Sequence, residues 1–468
     1  MNSVLDEKII EQFGEVVIDK RFSRLEIAGR IPRYLFEYIM TARCGTTPDE
    51  NDIAHLVEYI DLMYPQPEDR DRVLHELMTK GEYLLFDELK VITDIRRSTY
   101  WVKIPSLGMK ASILESIINK YKGLLTSGMW GLARLKYRAA SPNETSSANI
   151  LVSEFIPFEL VDIPLSGFAE RRRNFTLDEW LDLLTRTIGL NPDAYGEEQK
   201  ILLISRLIPL VENNCNMLEL GPKATGKTYL YRNISFYSRV ISGEMVSPAT
   251  LFYNIARDIP GEICMRDCIV FDEIKNIQFL GFNKIIGKLK DYMTDGFFER
   301  GPKKASSNCS LVFLANIELN HNPQTGDFNK ALPEFMHDTA FIDRLDGLLP
   351  GWKLPKLKQS KLYLADGLGL VIHYFCEILH KLRKKHFHGY IEKRVNLKGN
   401  LSIRDERGIK KIASGLLKIL APDGNFTHEE LELAVQTGIN FRQKIAEWLH
   451  RLSPNEFDDP HFEYEITY

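Results

Sequence analysis

The chain has 468 residues, 44% of them hydrophobic and 26% charged, which excludes a disordered polymer and asks for two or three separate cores. Its formal net charge of −4 excludes a global basic field, so any contact with nucleic acid must come from local patches. No apolar run approaches the ~20 residues that span a bilayer, and the first residues carry no apolar leader segment. A soluble, cytoplasmic chain without membrane contact is expected. The six cysteines are scattered, which suits reduced thiols. Cys264 and Cys268 are spaced like half of a metal site, but no second pair follows, so buried thiols and no structural zinc are expected.

Apolar residues recur at helical spacing in 31–40 and 52–63, predicting a mostly helical start through residue 80. The runs 84–89, 91–95, 100–104, 132–137 and 150–158 are short and rich in β-branched and aromatic residues. They predict a small β-domain over 80–165, for which an OB-like barrel is one option. A helix is predicted within it at 111–121, and a hairpin loop at 139–147. Near Arg171 the period changes. Thr176 followed by Glu179 predicts a capping box opening a helix at 175–188, and an amphipathic helix is predicted at 197–212. Strand–loop–helix–strand alternation through Asn316 signals a parallel α/β sheet. Helical segments at 367–384, 403–420 and 427–452 close the chain.

The sharpest motif is MLELGPKATGKT at 217–228, in which Gly221 is followed after four residues by Gly226-Lys227-Thr228. Glycines let backbone amides turn inward around phosphate oxygens, and a helix predicted at 229–237 presents its positive amino end. Gly221, Pro222, Lys223, Ala224, Thr225, Gly226, Lys227, Thr228 and Tyr229 are therefore the expected ATP-binding residues. Lys227 would reach the β- and γ-phosphates, and Thr228 would ligate Mg²⁺. A chance match in a turn is the alternative. The apolar strand predicted at 216–220 and the helix after the loop argue against it.

Two further strands end in polar groups. The run Cys268-Ile-Val-Phe271 ends in Asp272-Glu273, placing two carboxylates at the carboxyl end of a buried strand. Asp272 suits the Mg²⁺ shell and Glu273 the attacking water. The run 310–316 ends in Asn316, whose amide can orient that water; a plain strand terminus is the alternative.

Arg344 follows this third strand, where AAA+ proteins put an arginine finger that completes the neighbouring subunit's site. An ion pair with Asp343 or Asp346 is the alternative. Arg404, opening a helix, is expected as a lid arginine reaching the γ-phosphate in cis, with Arg407 as competitor. A trans finger requires a ring or filament. Residues 296–304, GFFERGPKK, predict a hairpin whose Lys303 and Lys304 would track DNA phosphates in a pore; a solvated turn is equally open. Basic clusters at 171–173 and 380–388 read singly as solvated helix faces.

Longer strings carry a resemblance. FDEI at 271–274, KDYMTDGFFERG at 290–301, SLVFLANI at 310–317 and FIDRLDGLLPGW at 341–352 are similar to the BrxL family, the Lon-like AAA+ proteins of BREX (bacteriophage exclusion) defence systems. Segments 17–38, 130–137, 175–192 and 431–448 resemble the same family, so the likeness spans nearly the whole chain. The resemblance implies an ATP-dependent, DNA-binding ring related to MCM-type helicases. Its partners would be double-stranded DNA, copies of itself in a hexameric ring (alone or paired), and other BREX proteins. It carries Gly226, Lys227 and Thr228 over as nucleotide and Mg²⁺ ligands, Asp272 and Glu273 as the metal and hydrolysis pair, and Arg344 as the finger. The family's Lon-protease-like domain needs ~200 further residues, so protease activity is not expected of a chain that stops at Tyr468.

The expected fold is α/β: an AAA+ P-loop parallel-sheet core at 171–355, a DNA-engaging helical and β domain at 1–170, and a C-terminal helical lid at 356–468. The leading function is a DNA motor or clamp in anti-phage defence. A protein unfoldase, for which Phe297-Phe298 speaks, and an ATP-switched DNA-coating scaffold are the alternatives.

Overall fold

The computed structural model describes residues 4–25, 31–46, 48–95, 98–125, 128–138, 150–158, 163–256, 258–317, 328–357 and 360–467. The loop expected at 139–147 lies outside them. The chain forms two compact units, Ser23–Asp162 and the combination of Met1–Phe22 with Ile163–Tyr468.

The first unit opens with helices Arg33–Cys44, Glu50–Met63 and Arg70–Lys80. Five strands follow: β1 (Glu82–Asp94), β2 (Thr99–Ile104), β3 (Met109–Ile113), β4 (Met129–Tyr137) and β5 (Ile150–Pro157). They close into a barrel in the order β1-β2-β3-β5-β4, parallel only between β3 and β5. Alternation fills the interior: Leu85, Leu89, Val91, Val102, Ile104, Ala111, Ala133, Leu135 and Val152 all sit in one buried cluster. Two expected runs merge into the long β1. The helix expected at 111–121 is corrected: Ala111–Ile113 belong to β3, and the helix spans only Glu115–Lys120. Ala111 and Ile113 alternate inward like strand residues, a period that the following helix masks in the sequence.

The second unit is built on a five-stranded parallel sheet of β6 (Met217–Gly221), β7 (Ser238–Ser242), β8 (Cys268–Asp272), β9 (Ser310–Asn316) and β10 (Gly347–Pro350). Their order is β10-β6-β9-β8-β7, with every neighbouring pair parallel. The three inner strands are buried on both faces, so they read as continuous apolar runs. The capping box between Thr176 and Glu179 forms and opens helix Leu177–Thr187. The helix expected at 197–212 is two pieces, Glu197–Ser205 and Ile208–Val211. Pro209 offers no amide to continue the first ladder, so the chain turns there.

Residues 4–22 group with this second unit rather than with the barrel. Strand Val17–Asp19 pairs with Leu368–Leu370, and ion pairs join Asp6 to Arg186 (2.7 Å) and Lys8 to Glu179 (2.6 Å). The segment expected as one domain over 1–170 is thus divided by its own pairing. Among the described residues no helix is long and apolar enough to cross a membrane.

Helices Ile403–Leu420 and His428–Leu452 each start at a capping box and belong to the same compact unit as the sheet. Buried ion pairs fasten them: Lys418 to Glu212 (2.9 Å), Lys411 to Asp346 (3.0 Å) and Glu430 to Arg172 (2.6 Å). Burial opposes ionisation of Glu212, but His388, Lys418 and Ser414 outweigh it and hold its pKa down to about 2. A carboxyl depressed in the fold contributes stability above its unfolded value and loses it as pH falls toward 2. Lys418→Met should therefore cost ~3–5 kcal/mol at about pH 7 in chemical denaturation. That penalty should shrink toward about pH 4, where the unpaired carboxyl of the variant can protonate and the wild-type one does not. An equal penalty at both values would remove Glu212 as its source.

Candidate functional site

Three strands deliver their carboxyl ends to one edge of the sheet. β9 lies between β6 and β8, so Asn316 at its tip stands in register with Gly221 and flanks the strand that ends in Asp272. Residues 221–226 form a loop that leaves β6 and enters helix Lys227–Ile234. Gly226 sits in the left-handed region at φ +75°, where the lack of a Cβ removes the strain. Gly221 is required for a different reason: a Cβ there would lie 2.8 Å from the carbonyl carbon of Gly351. Lys223 and Ala224 are exposed at the tip of the loop, and Tyr229 is half exposed on the first turn of the helix.

Lys227 is 6% exposed, and its ammonium donates to Asn316 Oδ1 at 2.6 Å, Pro222 O at 3.0 Å and Gly221 O at 3.1 Å. Burial lowers its pKa, with the buried charge of Glu219 acting the other way. Thr228 Oγ1 donates to Asp272 Oδ1 at 2.9 Å. Glu273 has φ +47°, an outlier for a residue with a side chain at the tip of a strand. Its carboxylate accepts from Asn316 Nδ2 at 3.3 Å and Asn276 Nδ2 at 3.0 Å. One carboxamide therefore joins the lysine to the acid, oxygen toward the ammonium and nitrogen toward the carboxylate. The structure brings Gly221, Lys227, Thr228, Asp272, Glu273 and Asn316 into a single constellation. A buried ammonium, a turned glycine loop, and a hydroxyl beside a carboxylate make a donor set that fits a polyphosphate with a hard divalent cation.

Sequence reasoning missed the support beneath the loop. Arg206 and Glu219 form a fully buried two-point pair, Nη2 to Oε1 at 2.6 Å and Nε to Oε2 at 3.1 Å. Arg206 Nη1 also donates to Thr225 O at 3.1 Å, tying the pair to the loop backbone. The signal was present: a lone carboxylate in the middle of a strand buried on both faces needs a cation.

The arginines group elsewhere. Arg344 Nε donates to Thr294 Oγ1 at 3.0 Å, and its Nη1 to Ala340 O. Its neighbouring acids are committed to other partners: Asp343 to Arg442 (2.9 Å) and Arg404, Asp346 to Lys411 (3.0 Å) and the Asn216 amide (2.7 Å). Arg404 thus contacts Asp343 rather than the loop at 221–226, and Arg407 donates to Thr294 O.

The hairpin forms, Phe297–Arg300 pairing antiparallel with Lys303–Ser306. Its lysines are both engaged: Lys303 with Asp258 at 2.6 Å and Lys304 with Glu299 at 2.7 Å. Phe297 is exposed and Phe298 buried. Cys268 is buried within β8 and Cys264 is half-buried, both as free thiols. Among the described residues no group of three or more His, Cys, Asp or Glu gathers as if for a metal.

Comparison with known proteins places the chain in a family. The family described as Lon-like protease BrxL-like, ATPase domain, matches residues 150–463. The family described as BREX system Lon protease-like protein BrxL N-terminal matches residues 11–137. The chain belongs to the BrxL family. It is 30% identical over 467 residues to the Lon-like protease BrxL of Escherichia coli O9:H4 (strain HS), covering 98% of this chain and 67% of that protein. It is likewise 30% identical over 458 residues to that of Bacillus cereus (strain H3081.97), covering 96% and 67%. The constellation at the sheet edge falls within the matched BrxL ATPase domain.

Arg206→Met strands an ionised Glu219 under the loop and should lower stability by ~3–5 kcal/mol. Adding Glu219→Leu should recover most of that loss in the same melting experiment. Single and double variants that melt alike would show that the pair is not the cause.

Proposed function

We propose that this BrxL-family chain is an AAA+ ATPase that assembles as a ring on DNA. It would bind ATP at the Lys227 loop and hydrolyse it with help from a neighbouring protomer. The observation that carries the reading is the Asn316 carboxamide bridging Lys227 and Glu273, beside the Thr228–Asp272 contact.

In this mechanism Lys227 exchanges the loop carbonyls for β- and γ-phosphate oxygens. Thr228 and Asp272 are the residues that would hold Mg²⁺, which when bound offsets the negative charge of the phosphates. Asn316 and Glu273 orient the lytic water, and Glu273 accepts its proton as the oxygen bonds to the γ-phosphorus and the bond to the β,γ-bridging oxygen breaks, releasing ADP and phosphate. Arg344 spends its hydrogen bonds on a hydroxyl and a carbonyl, so it is available for a neighbour's γ-phosphate. Arg404 and Arg407 are exposed, and each is linked to Arg344's surroundings through Asp343 or Thr294, so the three form one basic face. For Arg404 this face favours a role toward the neighbour over the expected one in cis.

The proposal extends to duplex DNA, a hexameric ring, other BREX proteins and the cytoplasm. Lys303 and Lys304 would reach DNA only by releasing Asp258 and Glu299. That pairing, with Phe297 60% exposed, favours a second reading in which the hairpin grips unfolded protein. Peptidase activity, which the relatives' name carries, is not proposed for this chain.

Arg344→Ala should lower ATP turnover by ~10³-fold or more. Mixing it with the equally inactive Lys227→Ala should restore activity, because the first supplies pockets and the second supplies arginines. Mixed assemblies that stay inactive at every ratio would refute the trans role. Stimulation of the wild-type rate by unfolded protein, and by neither duplex nor single-stranded DNA, would select the second reading.

A further inference from the structure

A second basic surface lies on the barrel. Residues 95–114 contain two arginines and two lysines and no Asp or Glu, in a chain of net charge −4. Arg96 and Arg97 lie outside the described residues. The two lysines are placed by register. Lys90 of β1 stands opposite Lys103 of β2, and Lys103 opposite Lys110 of β3. The adjacent register row, Val91, Val102 and Ala111, is buried in the barrel core, so the lysine row points outward. Lys103 and Lys110 are exposed, and Lys90 is half-buried with contacts of its own.

The next outward row is Ile92, Trp101 and Ser112, all half-buried. The Trp101 indole N–H donates to Thr99 Oγ1 at 3.0 Å, which fixes the ring on this face. Strand spacing spreads the three lysine stems over ~10 Å, and two residues of strand rise put the tryptophan row ~7 Å from them. Carboxylates on this face are Glu88 and Asp94, both on β1 and both engaged; β2 and β3 carry none. Lys103 and Lys110 stand directly opposite one another and both are exposed, and like charges so placed destabilise a sheet unless an anion shares them.

We propose that this face binds a single strand of nucleic acid, its phosphates along Lys90, Lys103 and Lys110 and its bases against the Trp101 row. A row of cations one nucleotide's reach from an aromatic platform suits a strand whose bases are free to stack. A duplex keeps its bases inside and would use the lysines alone. The inference rests on the proposed engagement of DNA and names the strand form and the face that takes it.

The test is fluorescence anisotropy of labelled oligothymidine, oligouridine and duplex DNA on the full chain across a salt series. Lys103→Ala with Lys110→Ala should weaken single-strand binding roughly tenfold or more and flatten its salt slope by ~1.4, while basal ATP hydrolysis holds. Arginine at both positions should retain affinity. Trp101→Leu, folded by circular dichroism, should weaken single-strand binding ~5- to 100-fold with the slope unchanged. Loss for both oligonucleotides assigns the face to the phosphate and base chemistry they share, and loss for one assigns it to that strand. A wild-type chain that binds no nucleic acid overturns both this inference and the DNA reading. A wild type that binds, with lysine variants equal to it, overturns this inference alone. So does an equal loss on duplex.

Discussion

An ammonium group buried at the edge of a parallel sheet must find partners, and the Lys227 site is organised by that demand. Taking a charge out of water costs several kcal/mol unless hydrogen bonds replace the lost solvation. Lys227 meets the need with two loop carbonyls and the Asn316 carboxamide. That solution requires β9 to sit between β6 and β8, because only then does Asn316 reach both the lysine and Glu273. It also requires a tight loop, supplied by Gly226 in the left-handed region and by Gly221 where Gly351 comes too close for a side chain. The loop in turn stands on Arg206 and Glu219, so a chain of charge compensation runs from the strand interior to the surface of the site.

A second set of compensated charges separates the arginines by partner. Arg442, 1% exposed, bonds Asp343 and Asp405, and Lys411 bonds Asp346. With these acids occupied, Arg344 sits next to two carboxylates in sequence yet pairs with neither. Fixed internal pairs thus leave a half-exposed guanidinium available, a division that distance in sequence alone does not reveal. The same helices that carry the internal pairs are fastened by buried ion pairs to Glu212, just past helix Ile208–Val211, and to Arg172.

The core of the site was legible because each of its strands is an apolar run ending abruptly in a functional group. Asp272, Glu273 and Asn316 are the first polar residues after buried stretches, and the glycine loop carries its own spacing. What was not legible depends on pairing between distant segments. Val17–Asp19 has no local signal for joining Leu368–Leu370, so the first residues were assigned to the wrong unit. The break before Pro209 hid inside an amphipathic pattern, and β3 was read as the start of a helix because five residues are too few to establish a period of two. Arg404 was given a cis role from its place in the chain, whereas Asp343 holds it beside Arg344. The lysine row on the barrel exists only through register, since Lys90, Lys103 and Lys110 are scattered charges until the strands pair.

The central claim is that Lys227 binds the phosphates and Glu273 acts on the water, which are separable tasks. Binding of a fluorescent ATP analogue and single-turnover hydrolysis, measured together on Lys227→Ala and Glu273→Gln, address it most directly. The account predicts that Lys227→Ala loses binding, while Glu273→Gln binds as tightly as the wild type and fails to hydrolyse. Normal hydrolysis by Glu273→Gln, or undiminished binding by Lys227→Ala, would contradict it.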